Sequence, residues 1–275
     1  MPVLPSLFIS HGSPMTALQP GQTGMRLAEL AAGLPRPRAI VVASAHWLGR
    51  TPLVSSAAQP ETIHDFGGFP EALHRLQYPA PGAPELAQEV LGRLEDAGLQ
   101  PQVDARRGLD HGAWVPLRYL YPQADVPVLQ VSIQPLAGPA HQLALGRALA
   151  PLREQGVLLI GSGSITHNLQ DWRAAQAGTE VPYLRPFVGW IEEKLLADDL
   201  PALLDYRRQA PFATLAHPTD EHLLPLYFAM GAAGGNGFGA QRIDAGVDMG
   251  FLAMDIYRFD GAGKPSRERG VAVDA

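Results

Sequence analysis

Ala39-Ile-Val-Val-Ala-Ser-Ala45-His46-Trp47 is the stretch on which the fold turns. Its first seven residues carry no charge and show no polar alternation, as expected of a strand buried on both faces. An imidazole follows directly. Similar apolar runs occur at Leu4 to Ser10, with His11 next in line, at Val126 to Ile133, and at Val157 to Gly161, with His167 a few residues beyond. Between the runs the spacing is helical. Pro84 to Ala97 repeats apolar residues at Leu86, Val90, Leu91 and Leu94 before the stop at Gly98, and Ala140 to Gln155 is closed by Gly156. Strands alternating with helices predict an α/β protein. The expected fold is a single domain with a central mixed, largely parallel sheet flanked by helices on both faces, because parallel neighbours need crossover connections. Later in the chain, helices are expected over Tyr183 to Leu200 and from near Asp220 to just before Gly231, and a strand over Phe251 to Phe259. Residues 1–260 are read as one domain and residues 261–275 as a flexible C-terminal tail.

Composition narrows the function classes. A chain of 275 residues, 46% of them apolar, can bury a substantial core. A net charge of -6 with scattered basic residues offers no footprint for phosphate backbones, so no nucleic-acid partner is expected. The complete lack of cysteine excludes disulfides, thiolate ligands and cysteine nucleophiles. Any metal site has to be built from imidazole and oxygen. The amino terminus has no basic region ahead of its short apolar run, and no window approaches the roughly 18 apolar residues of a membrane span. A cytoplasmic protein without a membrane partner is the expectation.

Position singles out a few of the nine histidines. His11, His46 and His167 all lie at or just beyond the carboxyl end of a predicted strand, where open α/β sheets bind their ligands. They are expected to converge. In Gly108-Leu-Asp110-His111-Gly112-Ala-Trp114 an acid stands beside an imidazole in a glycine-rich turn, a placement able to fix its tautomer or tune its basicity. His217-Pro-Thr-Asp-Glu221-His222 opens the late helix. Successive helical residues diverge by about 100°, so one of Glu221 and His222 is a candidate ligand and the other faces a neighbour or solvent. His64, His74 and His141 are read as surface or loop residues. Competing motifs fail: Gly161-Ser-Gly-Ser lacks the rest of a phosphate-binding loop, and no G-x-S-x-G elbow surrounds any serine. Imidazole and oxygen donors suit zinc, iron, copper or nickel equally.

Several stretches together resemble a known family. They are His11-Gly-Ser-Pro-Met15, Leu34-Pro-Arg-Pro through Ser44-Ala-His46-Trp47, Ile63-His-Asp-Phe-Gly-Gly-Phe-Pro70, Tyr78-Pro-Ala-Pro-Gly82, Leu109-Asp-His-Gly112 with Trp114, Gly161-Ser-Gly through His167-Asn168-Leu169, and Pro218-Thr-x-Glu-His222-x-x-Pro-Leu226. Spanning nearly the whole chain in order, they are similar to the class III extradiol ring-cleavage dioxygenases, in the 4,5-DOPA dioxygenase-like branch. The resemblance implies one mononuclear non-haem divalent metal, Fe(II) for catalysis with Zn(II) as an alternative occupant. It assigns His11, His46 and His222 as ligands, His167 as a fourth ligand or the active-site base, and His111 as a residue that handles a proton or binds substrate. The wider superfamily often completes its ligand set with a carboxylate, whereas here His222 stands in that stretch beside Glu221. The implied enzyme opens a DOPA-like catechol with O2 to a muconic semialdehyde, incorporating both oxygen atoms. Trp47, Phe66, Phe69 and Trp114 are candidates for an aromatic wall, and a monomer or small homo-oligomer is expected. Two other classes fit the same imidazoles: a zinc-dependent hydrolase, which would work without oxygen, and a non-catalytic metal-binding protein on the same fold.

Overall fold

The computed structural model describes residues 2–172, 179–235 and 237–261, so the tail expected at 261–275 lies outside the described residues apart from Gly261. Ten strands are named: β1 (Ser6–Ser10), β2 (Ala39–Leu48), β3 (Leu53–Ser55), β4 (Gln102–Asp104), β5 (Val128–Ile133), β6 (Val157–Gly163), β7 (Ala240–Ile243), β8 (Val247–Asp248), β9 (Leu252–Ala253) and β10 (Ile256–Phe259). The α-helices are α1 (Gly21–Ala32), α2 (Glu71–His74), α3 (Pro84–Asp96), α4 (His111–Leu120), α5 (Gly138–Leu149), α6 (Leu184–Leu196), α7 (Leu200–Leu204), α8 (Tyr206–Gln209), α9 (Ala213–Ala216) and α10 (Leu224–Ala232). None of the described helices is long and apolar enough to cross a membrane.

Eight strands form one sheet in the order β4-β3-β5-β2-β6-β1-β10-β7. Its centre is parallel, through the β5–β2, β2–β6 and β6–β1 pairs, and β10 and β7 extend one edge antiparallel. Alternate residues of the central strands enter two separate cores. Leu7, Ile9, Ile40, Val42, Leu158 and Ile160 pack with Leu27 and Leu30 of α1 and with Trp114 and Leu117 of α4. Phe8, Val41, Ala43, Leu129 and Leu159 pack with α3, α5, α6 and α10. Helices therefore cover both faces, as the mainly apolar runs predict, and the few buried polar residues of these strands, such as Gln130 and Ser44, are satisfied by hydrogen bonds to Asp110. Each large side chain so buried contributes about 1.5–3 kcal/mol to this arrangement.

Several boundaries differ from the sequence-based expectation, each for a local reason. The helix read over Ala140 to Gln155 is α5 followed by a tighter 3-10 turn at Ala150–Gln155, where Pro151 cannot donate the next α-helical bond. Tyr183 to Leu200 divides into α6 and α7 around Asp198, which sits at φ 52. The expected strand over Phe251 to Phe259 is broken: Leu252 and Ala253 pair with β8, whereas Ile256 to Phe259 join β1 in the main sheet. The late helix begins at Leu224, not near Asp220, so His222 lies in the turn before it. Pro225 occupies a first-turn position, where its missing N–H costs nothing.

Candidate metal centre

Four backbone devices bring histidines to the carboxyl ends of the parallel strands. His11 ends β1, its N–H bonded to the Gly163 carbonyl at 3.0 Å, and Gly12 then turns at φ +69, a conformation that suits glycine. His46 lies inside the far end of β2 rather than after it. The β2–β6 pairing stops at Ser44 and the β2–β5 pairing lapses between Ala43 and Leu48, so His46 rides on a bulge that re-aims its ring. His222 is carried by the turn before α10, seated against β6. A Cβ on Gly161 or Gly163 would come within 2.0 Å of the Pro225 carbonyl oxygen or 2.1 Å of that of His222, and the Ser164 N–H donates to the His222 carbonyl at 2.8 Å. The Gly-Ser-Gly stretch that looked like half a phosphate loop is thus a flat platform for a histidine-bearing turn. His167 is held by its own N–H on the Ala216 carbonyl at 2.8 Å.

Three imidazole nitrogens meet. His46 Nε2 lies 3.1 Å from His11 Nε2 and 3.3 Å from His222 Nε2. Donors about 2.0–2.1 Å from a divalent ion and about 90–109° apart would be separated by about 2.8–3.4 Å, so these spacings fit a common metal. Tautomers agree. The Ser162 hydroxyl donates to the Gly112 carbonyl and so accepts from His11 Nδ1–H at 3.0 Å, leaving His11 Nε2 with a free lone pair. Glu221 Oε1, 3.3 Å from His222 Nδ1, accepts there and does the same for His222 Nε2. Burial is the main cause that holds His11 and His222 well below the usual histidine pKa, with the neighbouring imidazoles adding to it. It also brings His46 down to about 4. The rings are thus held neutral, with His11 and His222 presenting Nε2 lone pairs toward His46 Nε2, so the three nitrogens could share a cation.

His167 lies outside that trio. Its ring stacks face to face on His222, centroids 3.4 Å apart and planes 6° from parallel, and burial lowers it to about 4. His111, the first residue of α4, packs its ring 3.9 Å from that of His46. Asp110 does not serve His111, contrary to the expectation from adjacency. Its carboxylate is fully buried and committed to Ser44 Oγ at 2.6 Å, Arg107 Nη2 at 2.7 Å, Gln130 Nε2 at 2.8 Å and the Ala113 N–H that it caps. Asp65 takes that place from a distant loop, accepting the backbone N–H of His111 at 2.9 Å and its Nδ1–H at 3.0 Å. Burial opposes its charge, but the hydrogen bonds from His111 outweigh it and bring Asp65 down to about 2.

All five histidines line one cleft of about 540 Å³, a volume typical of small-molecule sites, with Met15, Phe66, Phe69, Leu169, Trp172 and Phe251 among its walls. Two of the expected aromatics are there and two are not. Trp47 lies under the Arg107 guanidinium, 5.1 Å from its ring centroid, and Trp114 is wholly buried with its Nε1–H on the Ile63 carbonyl. His64, His74 and His141 are half-buried loop and helix residues that do not line this cleft, although His64 and His74 pack behind its wall residue Phe66, at 5.7 and 5.0 Å between ring centroids. Asp65, Ser162, Trp172 and Phe251 were not singled out by the sequence, since nothing local distinguishes an acid, serine or aromatic that acts across the fold.

Three imidazoles that could hold a metal stand in an apolar cleft at the carboxyl edge of a parallel α/β sheet, where small-molecule enzymes of this architecture bind their substrates. The chain belongs to the family described as the catalytic LigB subunit of aromatic ring-opening dioxygenase, which matches residues 5–246. It is 41% identical over 258 residues to the 4,5-DOPA dioxygenase extradiol of Beta vulgaris, covering 92% of this chain and 96% of that protein. The Escherichia coli K12 protein of the same name is 38% identical over 254 residues, 91% of this chain and 93% of that one. Among solved structures, that of an uncharacterised Escherichia coli K12 protein superposes with a TM-score of 0.77 at 33% identity, covering 93% of this chain and 99% of its own.

Proposed function

We propose that residues 1–260 form the catalytic domain of an extradiol dioxygenase that opens a DOPA-like catechol with O2 to a muconic semialdehyde, using one mononuclear divalent metal bound by His11, His46 and His222. The observation that carries this reading is the convergence of the three Nε2 atoms of His11, His46 and His222 in the cleft, and the relatives named for 4,5-DOPA cleavage support the substrate class. When bound, the metal supplies Lewis acidity toward the two catechol oxygens and, as Fe(II), the electrons that redox-inert Zn(II) lacks for reaction with O2. The chain does the rest. His167 stacks beside the ligand trio instead of joining it, which favours the base over a fourth ligand. With its pKa lowered to about 4, it is neutral at physiological pH and able to accept a catechol hydroxyl proton. His111, on the other side of His46, handles the second proton. Phe66 and Phe69 meet edge to face at 5.5 Å and present an apolar wall to a flat ring, and the cleft holds the reactants together in a water-poor site.

The test begins with the metal content of the purified protein, followed by anaerobic Fe(II) loading and oxygen uptake with DOPA and with unsubstituted catechol. Catechol-dependent uptake with a yellow ring-opened product, lost in His11→Ala and His167→Ala, is the expected result. Tightly held zinc with no uptake after iron loading would overturn it and favour a hydrolase or a binding protein on the same histidines.

A further inference from the structure

We infer that Asp65 is the positioning residue for His111: it sets the ring's tautomer and turns Nε2 toward the cleft. The inference rests on the ring-opening reading only for its catalytic consequence. A carboxylate only accepts hydrogen bonds, so its contact with His111 Nδ1 at 3.0 Å places the imidazole proton on Nδ1. Nε2 is then the nitrogen left for substrate. With the ring proton on Nδ1, His111 presents its Nε2 lone pair to the cleft, where it can take up the second hydroxyl proton and later return it, with the Asp65 carboxylate facing the far side of the ring.

The loop that carries Asp65 is built to hold this geometry. Thr62 bridges Leu109, the Ile63 N–H bonds to the Leu109 carbonyl at 2.8 Å, and Trp114 Nε1–H, one turn along α4 from His111, bonds back to the Ile63 carbonyl at 2.9 Å. Gly108 permits the approach, since a Cβ there would lie 2.3 Å from the Glu61 carbonyl oxygen. Asp65 Oδ1 meanwhile accepts the His111 backbone N–H, one of the first-turn amides that α4 cannot satisfy internally. The side chain thus has two separable duties, a helix-end contact and a tautomer lock. Asp110 already caps the same helix through Ala113, so the end contact alone does not require Asp65.

Asp65→Asn separates the duties. Its amide oxygen can keep the backbone contact, while its NH2 group faces His111 Nδ1 and can only donate, which drives the ring proton to Nε2. Long-range nitrogen–proton correlation spectra of Zn(II)-loaded protein at neutral pH report the tautomer without any turnover, with His111→Gln assigning the signal. The expected result is Nδ1–H in the wild type and Nε2–H in Asp65→Asn. With Fe(II) and catechol, kcat per bound iron is expected to fall about 10²–10⁴-fold, the range of a lost general acid–base contribution, while KM stays within about 3-fold; iron content is measured alongside, because Asp65 Oδ2 also lies 3.6 Å from His46 Nδ1. Asp65→Glu, which restores an acceptor, should recover part of kcat; Asp65→Ala should not. An Nε2–H tautomer in the wild type, an unchanged tautomer in Asp65→Asn, or an unchanged kcat would overturn the assignment. If the wild type opens no catechol, the ring-opening reading fails, and the spectra still decide whether Asp65 sets the tautomer.

Discussion

The two ends of the central sheet carry clefts of similar size and opposite character. At the amino ends of the parallel strands, a cleft of about 600 Å³ is bordered by Pro5, Leu34, Pro151, Arg153 and Asp260. Its one buried ion, Arg153, is spent on structure: its guanidinium donates to the carbonyls of Leu4, Ala232, Ala233 and Asp260, stitching the start of β1 to the end of α10. At the carboxyl ends, His11, His111 and His222 each spend Nδ1 on the scaffold and leave Nε2 without a scaffold partner. A cleft becomes a site when its buried polar atoms still lack a partner, and volume alone does not separate the two ends. The parallel strands supply the asymmetry, since the loops leaving their carboxyl ends converge from β1, β2 and β6 onto one point.

Exchanging the two characters by mutation should give opposite outcomes. The largest effect is expected from His11→Ala, His46→Ala or His222→Ala. Each should abolish stoichiometric metal binding and lower ring-opening activity by about 10³-fold or more, equivalent to about 4 kcal/mol of barrier. Metal analysis and oxygen uptake check this; a variant that keeps both would break the contrast. Arg153→Met should do the reverse, costing about 3 kcal/mol of stability in urea unfolding as buried carbonyls lose their donor, with activity per folded molecule unchanged.

Gly163→Ala tests the platform under His222. The new methyl meets the His222 carbonyl oxygen, so the turn must shift, with an expected loss of about 10-fold in metal affinity and about 1–3 kcal/mol in stability. Titrating the metal protein is one check, and a wild-type affinity would show that the turn yields freely. The smallest and broadest effect is on acid stability. Unfolded histidines titrate near 6.5, whereas His46 and His167 titrate near 4 in the folded chain and His217, buried against the Ile165 carbonyl, near 3. Below pH 6.5 the unfolded state therefore binds more protons. The metal-free protein should lose stability as pH falls from about 6.5 to about 4, by at most about 1.4 kcal/mol per pH unit for each such histidine. A flat unfolding midpoint across that window would mean that these rings are protonated in the fold.

The chain alone tells much of this and misleads in identifiable places. Four apolar runs identified the four central strands, because a strand buried on both faces is mainly apolar and admits a polar residue only where the fold supplies a partner, as Asp110 does for Gln130 and Ser44. β3 and β4, three residues each, carry too little pattern to be seen. His11, His46 and His167 were legible because a histidine just after an apolar run reports strand end and chemistry together. Adjacency was the poor guide. Asp110 precedes His111 and holds Ser44, Arg107 and Gln130 instead, while the acid that touches the imidazole comes from 46 positions earlier. Trp114 sits three residues from His111, yet helical geometry turns it into the core, leaving Phe66 and Phe69 to line the cleft.

What the sequence by itself determined is the α/β architecture, the family, and that any metal ligands would be imidazole or oxygen and not sulfur, since periodicity and residue type act locally and survive without coordinates. Only the tertiary structure decided which nitrogen of His11, His111 and His222 is free, that His167 stacks on His222, and that Asp65 answers His111. Those depend on distances between groups far apart in the chain. Hydrogen bonding, with its tolerance of a few tenths of an ångström, settles at that level and leaves no period in the sequence.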